Sequence, residues 1–406
     1  MNINSPGESN SKSYGYYSGN TNILQTLVDC VFDASVMFFK WLFDGWVDNS
    51  HNMDDFIKNT KFTVDKDLKP RLKEQGEKGN FEYYLFQIPT GMCIADFEKR
   101  REQFAFFLHC EKNQIKFIQD KYDIEMRVYR KQIESVKYDP VNFLDDKEFR
   151  VPIGINIDTK EVVYWYPSSP NEAHLLIGGS TGSGKSVSLS VILAHLIATR
   201  NDVELYLQDT KNIDLDCFEK ADCVKYYAEG TKFAEETAKE LVDEMTDRYS
   251  WLKKNGKGAK NLAECKVKDK PPFIFFVIEE LASFMGEKSK KNNNDKNKEG
   301  FYDYIQQLSA KGRAAGIFLI ITTQAPYSDV LPGMTKNNIN ATIGLKAKTG
   351  EASKTICGDY DLLTGLSGYG HGYLITANDK TEIKGFDIDN NTIDKIVKDS
   401  QKKKSL

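Results

Sequence analysis

Clustered metal ligands are missing from this sequence. Its seven cysteines, at positions 30, 93, 110, 217, 223, 265 and 357, form no Cys-x-x-Cys pair, and only five histidines accompany them. No metal cluster is expected, and the thiols read as reduced cytoplasmic side chains that mostly fill cores. An excess of charge of either sign is missing too. With 55 Lys+Arg against 59 Asp+Glu the formal charge is −4, so nothing pulls the whole chain toward nucleic acid or anionic lipid. Any polyanion contact must come from local loops inside an assembly. The N-terminus, MNINSPGESNSKSYGYYSGN, lacks the cationic start and short apolar stretch of a signal peptide. No charge-free apolar run reaches the 18 or so residues of a transmembrane helix, because Asp29, Asp33, Lys40 and Asp44 interrupt the most apolar stretch. What is present is ordinary for a folded protein. Of 406 residues 40% are apolar and 28% charged, enough for two to three domains at roughly 150 residues each, which excludes disorder of the whole.

Texture divides the chain. Residues 1–20, rich in Ser, Asn, Gly and Tyr without apolar period, read as a flexible arm. Residues 21–48 read as an amphipathic helix: the four charged positions share one face, while Leu24, Leu27, Val28, Val31, Phe32, Phe38, Phe39 and Leu42 cover the rest. Packing against its own domain or a sister subunit would cover that apolar face, and so would a membrane surface touched through residues 23–47. The acidic polar face weighs against the membrane, whereas Trp41 and Trp46 keep it open. A linker is expected over 49–80. Residues 81–150 read as a small α/β domain, with strand FEYYLFQIP, a turn at Thr90-Gly91, helix DFEKRREQFAFFLHC starting at an Asp cap, and alternating strand IEMRVYR. A nucleotide-binding domain is expected over 151–390, followed by a basic tail over 391–406.

The chemistry is concentrated in that last domain. GSTGSGKS, comprising Gly179, Ser180, Thr181, Gly182, Ser183, Gly184, Lys185 and Ser186, satisfies Gly-x-x-x-x-Gly-Lys-Ser between strand HLLIG and helix VSLSVILAHLIA. Glycines let successive backbone N–H groups face phosphate oxygens, and the helix N-terminus adds its dipole. Lys185 is expected at the β/γ-phosphates of ATP and Ser186 on Mg²⁺, with Val187 completing the nucleotide-binding segment. A strand VELYLQDTK ends in Asp209 and Lys211, readable as ligand-facing groups or as plain loop charges. The unbroken apolar run Phe273–Ile278 reads as a buried parallel strand ending in Glu279 and Glu280. Glu279 is expected in the Mg²⁺ shell and Glu280 to polarise the attacking water. GEKSKKNNNDKNKEG then reads as a surface loop, whose five lysines are weighed as DNA phosphate contacts. Helix FYDYIQQLSAKGRAAG and strand IFLIIT follow. Gln324 ends the strand where an amide can sense a γ-phosphate, and Arg313 complements its helix dipole.

Over HLLIGGSTGSGKSVSLSVIL, DTKNIDL, LVDEMTDRY, FVIEELASFM and KGRAAGIFLIITTQAP the sequence resembles the FtsK/SpoIIIE branch of RecA-like DNA translocases. IPTGMCIADFEKRREQF is similar to the small domain that precedes the motor in that family. The resemblance implies an α/β fold: a RecA-like P-loop NTPase with a mostly parallel sheet flanked by helices, preceded by a small α/β domain. It also implies ATP and Mg²⁺ as cofactors, a homo-hexameric ring, double-stranded DNA as partner, Arg313 as an arginine finger acting on a neighbour's nucleotide, and Gln324 as sensor. Glu279 stands where the family usually has Asp. The family's cell-division members add a membrane anchor and a winged helix that reads oriented DNA, and sequence-directed loading is not expected here. The plan looks most like TcpA-type coupling ATPases of Gram-positive conjugative elements, which implies relaxosome or secretion-channel partners. Two alternatives stay open: an FtsK-like protein-secretion ATPase, and a nucleotide-gated scaffold with weak hydrolysis. The expected location is cytoplasmic, including the inner face of the cell membrane.

Overall fold

Two β-sheets organise the computed structural model, which describes residues 52–402 apart from 65–67, 80, 131–133, 145–147, 212, 232, 285–299 and 325–332. The arm, the amphipathic helix and the Lys/Asn-rich insert expected from the sequence lie outside the described residues. Among the described residues no helix is long and apolar enough to cross a membrane.

The first sheet is antiparallel, in the order β1-β2-β4-β3, from β1 (Arg71–Lys78), β2 (Phe81–Gln87), β3 (Ile115–Asp120) and β4 (Asp123–Val128). Alternation along β4 sets its two faces. Ile124, Met126 and Val128 are buried, while Glu125 and Arg127 face the other way. Against the apolar face pack α1 (Met53–Asn59), α2 (Ile94–Glu98) and α3 (Arg101–Phe107), with Phe56, Phe62, Phe86, Phe97, Phe104 and Phe117 in one core. The expected linker over 49–80 is therefore corrected. Met53, Phe56, Ile57 and Phe62 are core residues and β1 is a sheet strand, so the small domain begins by residue 52. Its single expected helix is broken into α2 and α3, and it starts at Ile94 behind Cys93, with Asp96 inside it accepting from the Cys93 backbone N–H at 3.0 Å.

The second sheet has ten strands in the order β6-β5-β14-β13-β12-β7-β11-β10-β8-β9. These are β5 (Val151–Asn156), β6 (Val162–Trp165), β7 (Leu175–Gly178), β8 (Val203–Asp209), β9 (Val224–Glu229), β10 (Phe273–Ile278), β11 (Ile317–Thr323), β12 (Ala341–Leu345), β13 (His371–Ile375) and β14 (Lys380–Gly385). From β9 to β12 neighbouring strands run parallel, and from β12 to β6 they alternate. The mostly parallel α/β architecture expected from the sequence is present. Helices cover both faces, so the central strands are apolar on both sides. In β10, Phe273, Phe275 and Val277 enter the core shared with α4 (Lys185–Thr199), while Ile274, Phe276 and Ile278 enter the core shared with α5 (Ala234–Asn255) and α6 (Phe301–Lys311). Two short helices follow, α7 (Gly333–Asn338) and α8 (Gly350–Cys357).

Both boundaries of this domain lie outside the expected 151–390. Tyr138 and Phe143 pack in its core, and the Tyr138 N–H donates to the Asp387 carbonyl at 2.7 Å, so the chain enters the domain before residue 139. The stretch read as a basic tail is α9 (Asn390–Lys402), whose Ile393, Ile396 and Val397 are buried beside α4. Lysines spaced along its outer face masked an apolar stripe at helical period.

Candidate active site

Parallel strands present their carboxyl ends on one edge, and here that edge collects the polar residues singled out in the sequence. β7 ends at Gly178 between β11 and β12, so the next residues leave the sheet at its centre. The Gly179 N–H donates to the Thr323 carbonyl at 3.4 Å and the Ser180 N–H to the Lys346 carbonyl at 2.8 Å, which ties the departing loop to both neighbours. Glycine is required twice in this loop. Gly184 has φ +109°, and a Cβ there would stand 2.7 Å from the Gly370 nitrogen; at Gly179 it would stand 2.7 Å from Ser183 Oγ. The loop then becomes α4, with Lys185 at its start.

Lys185 is buried and donates to the Gly179 carbonyl at 2.7 Å, folded over the loop it follows. Burial lowers its ammonium, and Lys211 adds to that, against the opposing charges of Glu280 and Glu279. All four groups therefore share one electrostatic neighbourhood. Ser186 and Val187, next in the helix, are exposed, as are Thr181 and Gly182 on the loop. Ser183 Oγ is buried without a hydrogen-bond partner in the described structure. A loop with glycines at positive φ, an unmatched hydroxyl and a buried ammonium is what the phosphates of a nucleotide triphosphate would fit.

The two glutamates are separated by the backbone. Glu279 ends its strand facing β8: it is paired with Lys211 Nζ and accepts from Thr210 Oγ1 at 2.7 Å. Burial raises its carboxyl, and Lys211 and Thr210 hold that rise back. Glu280 adopts φ +54° and turns instead toward β11, accepting from the Gln324 N–H at 3.0 Å and from Thr323 Oγ1 at 3.2 Å. Gln324 in turn accepts through Oε1 from Thr181 Oγ1 at 2.9 Å. The expected sensor thus bridges the second glutamate and the phosphate loop. Among the described residues no three His, Cys, Asp or Glu side chains stand close enough to hold a metal by themselves. Ser186 and Glu279 are the two oxygens that the sequence reading assigns to Mg²⁺, an ion that keeps waters and shares its shell with phosphates and one or two protein oxygens.

Asp209, left open by the sequence, is turned into its own loop. It is fully buried and accepts from the backbone N–H groups of Lys211, Asp214 and Leu215 at 2.9 to 3.2 Å. Lys211 is the residue of that pair that reaches the site. Burial lowers it, and the bond and charge of Glu279, helped by Asp214, outweigh this and raise it. Arg313 lies apart from the others. It sits in the single turn Gly312–Ala315 that leads into β11, at the amino end of the parallel strands, near His174 at the start of β7, which burial depresses and the Arg313 charge depresses slightly further. It is on the sheet edge opposite its own phosphate loop.

Sequence reasoning missed the loop that braces the site from the antiparallel side. The Gly370 N–H donates to the Ser183 carbonyl at 2.8 Å, and Lys384 Nζ holds the Tyr369 carbonyl at 2.8 Å. Three residues in succession, Gly368, Tyr369 and Gly370, have φ of +87°, +51° and +81°. The glycine spacing in SGYGHG ahead of a strand was the available signal.

The profile of the FtsK/SpoIIIE family matches residues 139–328. The DNA translocase FtsK of Streptococcus pneumoniae is 28% identical over 292 residues, covering 68% of this chain and 36% of that protein. The chain thus spans about a third of the length of such curated relatives. Among solved structures, the pCW3 conjugation coupling protein TcpA, in its monomer form with ATPgS, superposes with a TM-score of 0.59 at 23% identity, covering 84% of this chain and 97% of that one. The cytoplasmic domain of the Thermomonospora curvata type VII secretion ATPase EccC reaches 0.53 at 20% identity, covering 65% and 33%. These two likenesses concern the fold. The phosphate loop, both glutamates, Arg313 and Gln324 all lie within the stretch that the FtsK/SpoIIIE family profile matches.

Proposed function

We propose that this chain is an ATP-driven double-stranded DNA translocase or coupling protein of a conjugative or other mobile element, working as a homo-hexameric ring. The observation that carries the reading is the convergence of Lys185, Ser186, Glu279, Glu280 and Gln324 on one sheet edge while Arg313 stands on the other. Lys185 offsets phosphate charge, and Ser186 with Glu279 holds Mg²⁺, which supplies further charge neutralisation when bound. Exchange of the Lys211 partner of Glu279 for the metal would free that lysine toward the same negative charge. Glu280 receives the proton of the attacking water, and its link to Gln324 registers whether the phosphate loop is engaged. With Arg313 remote from its own loop, a ring in which each subunit offers that edge to its neighbour completes the site in trans. The names of the translocases above support DNA as the cargo, and relaxosome or channel proteins as partners belong to the coupling-protein form of the reading. Location in the cytoplasm, with contact to the inner membrane face through residues 23–47, belongs to the same reading.

ATPase measurements with and without double-stranded DNA test it. DNA-stimulated turnover is expected. Stimulation by a secreted peptide and not by DNA would move the chain to the protein-secretion reading, and binding without turnover to the scaffold reading.

A further inference from the structure

The loop between α8 and β13 holds an aromatic residue that folding does not explain. Tyr369 is 81% exposed and has φ +51°, a conformation uncommon outside glycine and unfavourable for a bulky side chain. Its backbone is nonetheless fixed from every side. His371 Nδ1 binds both the N–H and the hydroxyl of Ser367 at 3.2 and 3.0 Å, the His371 N–H donates to the Gly368 carbonyl at 3.0 Å, and the Gly385 N–H donates to the Gly370 carbonyl at 2.7 Å. Lys384 holds the Tyr369 carbonyl, and Gly370 is bonded to Ser183 of the phosphate loop.

This clamping brings the tyrosine to the rim of the phosphate cradle. A Cβ on Gly184 would stand 3.5 Å from the Tyr369 carbonyl carbon, and one on Gly368 would stand 4.0 Å from the Gly182 carbonyl oxygen. Val187, in the first turn of α4 directly after the loop, is 37% exposed and is a second apolar side chain on this side of the helix start. Phosphates fit the cradle itself, but a base needs an apolar face, and the described site offers none inside the loop. Other exposed apolar side chains lie on other elements: Phe106 and Tyr122 in the small domain, and Ile213 after β8, Phe233 before α5, Met334 on α7 and Tyr360 after α8 in the large one.

We infer that Tyr369 is the base-stacking residue of the nucleotide site, holding the purine ring of ATP or ADP against its phenol. The inference rests on the nucleotide reading above and adds to it the residue that distinguishes a nucleotide from bare phosphate. Stacking of this kind is worth about tenfold or more in affinity.

The test compares ADP with inorganic pyrophosphate on the full chain, by calorimetry or competition. Tyr369→Gly accepts the positive φ and removes the ring; Tyr369→Phe keeps the ring and removes the hydroxyl. Tyr369→Gly should bind ADP about tenfold or more weakly and pyrophosphate as the parent does, while Tyr369→Phe should match the parent on both. Unchanged ADP affinity in Tyr369→Gly would overturn the inference and leave the nucleotide reading standing. So would equal losses for both compounds, which would make the tyrosine a support of the phosphate loop. A parent chain that binds neither compound would overturn the nucleotide reading and this inference with it.

Discussion

Replacing each glutamate by glutamine should separate two roles that adjacent positions would otherwise confuse. In Glu280→Gln the carboxylate becomes an amide whose oxygen can still accept from the Gln324 N–H, now at 3.0 Å, and Thr323 can turn its hydroxyl to accept from the new NH₂. Two neutral bonds replace two charge-assisted ones, so stability should change by less than about 1 kcal/mol. What is lost is the proton acceptor, worth about 10²- to 10⁴-fold in rate. Glu279→Gln differs because it removes the charge opposite Lys211. Breaking a fully buried pair costs about 3–5 kcal/mol. Here Glu279 is 4% exposed but Lys211 is 35% exposed and keeps Asp214 at 3.2 Å, so about 1–2 kcal/mol is the reasonable cost. Three measurements decide: steady-state ATPase rate, nucleotide affinity with and without Mg²⁺, and urea unfolding. The expected pattern is lost turnover with retained affinity and stability for Glu280→Gln, and a reduced Mg²⁺ effect with lower stability for Glu279→Gln. Loss of Mg²⁺-dependent affinity in Glu280→Gln, with normal binding in Glu279→Gln, would refute the assignment and exchange the two roles.

Lys185→Ala should abolish nucleotide binding or turnover without unfolding the chain, since its ammonium contacts loop carbonyls and no core side chain; calorimetry with a melting curve checks both. If Arg313 acts in trans, mixing Arg313→Ala with Lys185→Ala subunits should restore part of the ATPase rate, and assembled mixed rings as inactive as either parent would count against it. Deleting residues 390–402 should destabilise the domain by several kcal/mol in urea unfolding, because Ile393, Ile396 and Val397 are buried and each such side chain contributes about 1.5–3 kcal/mol. Acid should weaken the fold in two stages. Burial, with a smaller contribution from Arg313, depresses His174 to about 4, so the unfolded chain binds more protons below the ordinary 6.5 and stability falls from there through pH 4. Burial raises Glu382, but His371 and Lys116 outweigh it and hold the carboxyl down to about 2, so its share is present above 4.5 and lost as pH falls through 2. Urea midpoints between pH 7 and 3 should drop more steeply for the parent than for His174→Gln above pH 4.

The central strands were legible because burial on both faces leaves a pattern no other element shares: the runs 273–278 and 317–321 are apolar throughout and stop at polar residues. The phosphate loop was legible for a related reason, since its glycines answer to backbone geometry and not to distant partners. What escaped were elements whose burial depends on a partner far along the chain. β1 is an almost fully exposed strand of charged residues, and only pairing with β2 makes it a strand. α9 is polar on average and finds its core against α4, some 200 residues earlier in sequence. The direction of Glu280 was equally hidden: adjacency in sequence does not reveal the positive φ that turns the second carboxylate toward the opposite strand.

The same logic explains why the small domain is not a separate bead beside the motor. Its helices cover one face of the first sheet, and the other face carries Lys116, Arg127 and Tyr129 against the antiparallel side of the large sheet. Lys116 Nζ meets Glu382 of β14 at 2.6 Å, Arg127 meets Asp158 at 2.6 Å, and Tyr129 donates to the other oxygen of Asp158. A charged pair this shielded is maintained only with good geometry on both sides, so the two sheets are held in one registration. Glu382 also receives His371 Nε2 at 2.9 Å, and the other nitrogen of that ring holds Ser367 at the start of the loop that braces the phosphate cradle. Each step from Lys116 to Ser183 is therefore a hydrogen bond or one short stretch of backbone. A charge-reversing change such as Lys116→Glu, in the small domain that precedes the P-loop in sequence, places two carboxylates against each other at the first of these steps. It should loosen the Ser367–Gly370 loop and lower nucleotide affinity along with stability, whereas Lys73→Glu, whose partner Asp123 lies within the small domain, should affect stability alone. Equal nucleotide affinity in the two variants would mean that the cradle keeps its shape without the small domain's help.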